Sequence, residues 1–136
     1  MRRMAKTGKK EELKPVINTK KILEARNVIN DIYIDEKVEQ YIIDLVFATR
    51  SPEKYDMEDL SELISFGASP RASINLNLAA RAHAFMEHRA YVTPEDVRII
   101  AMDVLRHRII PTFEAEAEDI TSEDLIEKIM STVQVP

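Results

Sequence analysis

The chain has 136 residues, 45% apolar and 32% charged, which suits one domain large enough to bury a sizeable core. It contains no cysteine, which excludes a disulfide frame and a thiolate metal site, and no stretch approaches the roughly 20 apolar residues that span a bilayer. The net charge of −5 is unevenly spread: residues 1–21 hold eight Lys/Arg against two Glu, whereas the remainder holds 11 basic and 22 acidic side chains.

Two glycines in the whole chain, with apolar positions recurring at spacings of three and four, predict helices throughout. Residues 1–17 lack periodicity, carry the positive charge and run through Pro15, so they read as a basic leader ahead of a helical domain over 18–136. That start has no hydrophobic segment of the signal-peptide kind, and a cytoplasmic location is the expectation. Asn18 or Thr19 can cap a helix over about 20–31, with Ile22, Ala25, Ile29 and Ile32 on one side. Asp35 caps the next, over about 36–50, whose Val38, Tyr41, Ile42, Leu45, Val46 and Thr49 follow the helical stripe pattern. Arg50 in its last turn and Pro52 beyond it stop that helix.

Residues 51–69 admit either one short helical turn built on Leu60, Leu63 and Ile64, or an extended piece leading to Gly67. A third long helix, over about 70–88, is expected to turn Ile74, Leu78, Ala82 and Phe85 inward, and its alanines let a partner helix come close. Thr93 caps a fourth, with Pro94 at its first position and Glu95 and Asp96 complementing the helix dipole. Val97, Ile100, Ala101, Val104 and Leu105 form its buried stripe, ended by Arg106-His107-Arg108. A last helix, over about 122–133, starts at Thr121 and presents Leu125, Ile126, Ile129, Met130 and Val133. Met86 and Met102 fall on or near buried stripes and join Met130 in the expected core. The expected fold is all-α, a compact four- to five-helix bundle.

The run Gly67-Ala68-Ser69-Pro70-Arg71-Ala72-Ser73 offers an arginine to an anion at the first turn of a helix. Gly67 permits unusual backbone angles and a tight approach, Ser69 is a good N-cap and Pro70 suits the first helical position. Arg71 then sits where free N–H groups and the helix dipole favour negative charge, and its planar fork matches phosphate. Taken alone, the same run is also a capped helix start whose arginine joins a surface salt bridge.

Other chemistry is weaker. Ile32-Tyr33-Ile34-Asp35-Glu36 has the look of a Walker B strand, but Gly8 and Gly67 are the only glycines, so no phosphate loop G-x-x-x-x-G-K-[ST] accompanies it. Asp35 and Glu36 read instead as a helix cap. His83, His88 and His107 lack the i, i+4 ligand spacing of a zinc site, and no G-x-S-x-G elbow exists. The acidic C-terminal part lacks the glycine and alternating oxygens of a calcium loop. A helix-turn-helix about Arg89–Thr93 would begin its recognition helix with Glu95 and Asp96, which repel phosphates, so nucleic acid is not the expected partner.

Ala48-Thr49-Arg50, Phe66-Gly67-Ala68-Ser69-Pro70-Arg71-Ala72, Ala79-Ala80-Arg81-Ala82, Tyr91-Val92-Thr93-Pro94-Glu95-Asp96-Val97 and Asp103-Val104-Leu105-Arg106-His107-Arg108 occur in that order. The succession resembles the C-terminal lid domain of MoxR-type AAA+ ATPases, relatives of magnesium-chelatase ATPase subunits. The resemblance runs from about residue 20 to Pro136. It implies a helical lid beside an α/β core that holds ATP and Mg2+, with Arg71 as the sensor 2 residue reaching the γ-phosphate and Ser69 and Pro70 beside it. It also implies ring assembly, commonly hexameric, with chaperone-like action on client proteins and partners that carry von Willebrand factor A domains. The P-loop, Walker B strand, sensor 1 and arginine finger have no counterpart here, so residues 1–17 are expected to be the junction to a core domain. ATP hydrolysis then belongs to the parent enzyme. The alternative is a free-standing helical interaction module without nucleotide chemistry.

Overall fold

A computed structural model describes residues 15–136, so most of the basic leader expected over 1–17 lies outside the described residues. In chain order the elements are α1 (Thr19–Asn30), α2 (Glu36–Ala48), a 3-10 turn (Pro52–Tyr55), α3 (Glu58–Ser61), β1 (Ile64–Phe66), α4 (Arg71–Met86), α5 (Pro94–Leu105), β2 (Ile110–Pro111), α6 (Phe113–Ala117) and α7 (Ser122–Thr132). Five of the helices have eleven or more residues, which is the bundle the apolar spacing predicts.

Local chemistry sets most helix starts. Asn18 accepts from the Lys21 N–H at 2.9 Å, and Asp35 accepts from the Lys37 N–H at 2.9 Å. Thr93 and Thr121 each close a capping box with the Asp three residues on, satisfying two otherwise free N–H groups at each helix start.

The core gathers α2, α4, α5 and α7. Tyr41, Ile42 and Leu45 of α2 meet Leu76 of α4, Val97 and Leu105 of α5, and Leu125, Ile126 and Ile129 of α7, each no more than 2% exposed. The α4–α5 pairing is the most extensive, because Ala72, Ala80 and Ala84 give α4 a low ridge that a neighbour approaches closely. That ridge overturns the expected inward face. Ile74 is 60% and Leu78 50% exposed, Phe85 is half-buried, and Leu76 is the large residue that fills the core.

Two further expectations change. Met86, expected in the core, is exposed, while Met57 is buried. α1 buries none of its residues fully; Ile22 is exposed, and Ala25 and Ile29 are only half-buried. The stretch 51–69 holds both alternatives, helical turns and then an extended piece. β1 pairs antiparallel with β2 through Ile64↔Pro111 and Phe66↔Ile110, a ribbon too short to leave an alternating pattern. A parallel bridge between Tyr33 and Tyr91 ties the α1–α2 connection to the α4–α5 connection.

Candidate functional site

The Gly67–Pro70 strap carries the chain from β1 into α4 and so decides where Arg71 stands. Thr49, the C-cap of α2 and 1% exposed, holds this strap. Its hydroxyl donates to the Val46 carbonyl at 2.7 Å and accepts from the Ala68 N–H at 2.9 Å. Arg50 adds a longer bond from Nη1 to the Ala68 carbonyl at 3.4 Å.

Gly67 is needed for approach alone. A Cβ there would collide with the Thr49 carbonyl, yet its φ lies outside the left-handed region, so the expected unusual angles are not used. Ser69 is also placed differently from expectation. Pro70 occupies the N-cap position in a helical conformation, and no side chain caps the helix. The chain enters α4 through a tight turn in which the Ser69 carbonyl accepts from the Ala72 N–H at 2.8 Å. A side-chain cap needs an extended N-cap residue, and the turn already at Pro70 removes it.

Arg71 follows as the first residue of α4 and is exposed. Among the described residues its guanidinium makes no hydrogen bond and no ion pair, so the surface salt bridge of the simpler reading is not formed there. A shallow depression of about 230 Å3 opens beside the strap, lined in part by Arg50, Glu53, Ser61, Ser65 and Gly67. Three and seven residues after Arg71 come Ile74 and Leu78, on the same side of the helix. With the half-exposed Ile43 of α2 they line an open apolar groove of about 320 Å3, rimmed by Glu39 and Asn77. Asn77 Nδ2 donates to Glu39 Oε1 at 3.2 Å across it.

A buried ionic centre lies elsewhere, at the start of α5. Asp96, expected to complement the dipole of α5, is 1% exposed. It accepts from both Arg89 guanidinium nitrogens, from the Thr93 N–H and hydroxyl at 2.7 and 2.8 Å, and from His83 Nδ1 at 2.6 Å. Burial alone would raise the Asp96 pKa, but the Arg89 bond and the donors of Thr93 and His83 together hold it well below the usual carboxylate range. His83 is therefore a satisfied structural histidine. Thr93 as the cap was legible in the sequence, whereas Arg89, four residues before it in the α4–α5 connection, meets Asp96 only in the folded chain.

Arg81 is structural too, donating to Asn77 Oδ1 at 3.0 Å and to the Asn30 carbonyl at 2.8 Å, which ties α1 to α4. Among the described residues no group of three or more His, Asp or Glu is placed to hold a metal ion, and no helix is long and apolar enough to cross a membrane.

The model of the AAA lid domain family matches residues 58–129. Chaperone MoxR1 of Mycobacterium tuberculosis is 37% identical over 92% of this chain and 33% of its own length. Protein MoxR of Paracoccus denitrificans is 34% identical over 82% of this chain and 34% of its own. A solved crystal structure, of a Cytophaga hutchinsonii protein assigned as an ATPase, covers the whole chain at 45% identity with a TM-score of 0.95. The match takes in 41% of that protein, and the chain spans about a third of the length of the curated relatives. The chain belongs to the AAA lid domain family, as the lid of a MoxR-type AAA+ ATPase.

Proposed function

We propose that this lid supplies Arg71 as the sensor 2 residue of a ring-forming ATPase, with Ser69 and Pro70 shaping the approach to the nucleotide. In the parent enzyme ATP and Mg2+ are held by an α/β core, and Arg71 reaches from the lid to the γ-phosphate. Neighbouring ring subunits and client proteins are the partners, von Willebrand factor A-domain proteins among them, and the cytoplasm is the location.

The observation that carries this reading is one exposed guanidinium at the first turn of a 16-residue helix, on a strap pinned by the end of α2. The helix dipole there favours an anion, and the guanidinium adds a donor fork of phosphate geometry. Without a carboxylate partner among the described residues, Arg71 can take a phosphate without first breaking an ion pair. The likeness to MoxR-type AAA+ ATPases is what assigns the Mg2+ ligands to the core. The Ile74–Leu78 stripe continues from Arg71, and an exposed apolar strip of this kind suits a surface that lies against another domain.

The test is hydrolysis by the full-length ATPase that carries this lid. Phosphoryl transfer is catalysed mainly by positioning and charge stabilisation, so Arg71→Ala is expected to lower turnover by about 10- to 1000-fold. Arg71→Lys restores part of it, since a point charge lacks the planar fork. The melting temperature of the lid stays nearly unchanged, and Arg81→Ala leaves turnover per folded enzyme near normal. An Arg71→Ala enzyme with intact turnover returns Arg71 to the role of an ordinary surface arginine.

A further inference from the structure

We infer that Thr49 is a positioning residue for Arg71: its hydroxyl locks the strap that aims the arginine, an inference that rests on the sensor role proposed for Arg71. A threonine hydroxyl has one proton to give and lone pairs to receive. Here the proton goes to the Val46 carbonyl at the end of α2, and a lone pair takes the Ala68 N–H, three residues before Arg71. One buried atom therefore joins the last turn of one helix to the entry of another.

Ala68 is fully buried, so its N–H has no solvent to turn to when the hydroxyl is removed. The backbone is held from the other side as well. Gly67 lies so close to the Thr49 carbonyl that no side chain fits between them, which leaves the strap almost no freedom to slide. The β-branched side chain of threonine adds a stiff χ1, which keeps the hydroxyl between its two partners. Among the described residues Arg71 itself forms no side-chain bond that would aim it, so its direction is inherited from this anchored backbone. A misplacement of about 1 Å in a catalytic group can cost about 100-fold in rate, so the anchor bears directly on turnover.

Variants of the full-length ATPase, assayed for hydrolysis at a temperature where each lid is folded, test this. Thr49→Val keeps the shape and removes both bonds; it is expected to lower turnover by about 10-fold or more. Thr49→Ser keeps both bonds and is expected to stay within a few-fold of the parent. Gly67→Ala reaches the same contact from the strap side and is expected to lower turnover too, which keeps the test open where Thr49→Val unfolds. Leu125→Ala, buried in α7 and remote in sequence from the strap, weakens the lid but is expected to leave turnover per folded enzyme unchanged. The decisive comparison is the double-mutant cycle. In an Arg71→Ala background, Thr49→Val is expected to cost little more. An equal loss in both backgrounds overturns the inference, because Thr49 would then act by another route. So does a Thr49→Val or Gly67→Ala enzyme as fast as the parent while Arg71→Ala is slow. A fast Arg71→Ala enzyme instead sinks the sensor role itself, and this inference with it, by a distinguishable result.

Discussion

Asp96 and Tyr41 are both buried, yet their polar atoms stand in opposite situations. Every oxygen of Asp96 is bonded, and one partner, Arg89, is a cation that keeps 27% side-chain exposure. Breaking a buried pair by removing one member typically costs 3–5 kcal/mol; with Arg89 partly hydrated, Asp96→Asn is expected near the low end, about 3 kcal/mol, in urea denaturation. The sign of the pH effect follows from the lowered Asp96 pKa. The stabilisation is complete above the unfolded carboxylate value of about 4 and is lost as pH falls below it, toward the lower folded value. Denaturation midpoints should therefore drop in acid, and Asp96→Asn should flatten that acid limb while lowering the plateau at neutral pH. Some slope remains through Asp124, whose pKa is lowered by its bonds to Thr121. By contrast, the Tyr41 hydroxyl has no hydrogen-bond partner among the described residues. Tyr41→Phe is expected to leave stability unchanged or to raise it by up to about 1 kcal/mol, since a lone buried hydroxyl carries a desolvation cost. A clear loss of stability would reveal a bonded hydroxyl.

At the scale of elements, α4 has two competing stripes. Ala72, Leu76, Ala80 and Ala84 recur every four residues and are buried; Ile74 and Leu78 are larger but stand outside. Leu76→Ala is therefore expected to cost about 2–5 kcal/mol of unfolding free energy. Leu78→Ala is expected to cost within about 1 kcal/mol, because much of its surface already meets solvent. Chemical denaturation of the two variants separates the faces, and equal losses would mean that α4 is rotated from this arrangement. The neighbouring α1 depends on fewer contacts. Its tie to α4 through Arg81 and the Asn30 carbonyl makes it the helix whose amides are expected to exchange fastest when Arg81 is replaced by alanine.

For the whole molecule, one continuous core links α2, α4, α5 and α7, which favours a single cooperative unfolding transition for the isolated lid with a helical circular dichroism spectrum. A β-dominated spectrum would contradict the fold. The isolated lid is expected to bind ATP very weakly. A charge-assisted bond from one arginine contributes about 1.5–3 kcal/mol, whereas millimolar affinity already requires about 4 kcal/mol. Calorimetry that found micromolar binding would point to a nucleotide site complete within the lid.

How much of this was legible beforehand varies with the range of the interactions. Helix starts at Asn18, Asp35, Thr93 and Thr121 are local chemistry, written within three or four residues, and the sequence predicts them well. The position of Arg71 at a helix start and the ordered motifs that mark the lid were equally visible in the chain. The inward face of α4 was not, because the size of its side chains favoured Ile74 and Leu78, and only the close approach of α5 selects the alanine ridge. Met86 was misplaced with them. β1 and β2 are three and two residues long, so their pairing has no periodic trace, and Asp96 reads only as a dipole partner at a helix start until the fold brings Arg89 and His83 to it. The Thr49 anchor spans 19 residues and depends on the missing Cβ of Gly67. Local hydrogen bonds and apolar spacing are properties of short segments and can be read from the chain; which face packs, and which buried group finds a partner, depends on segments that only the folded structure brings together.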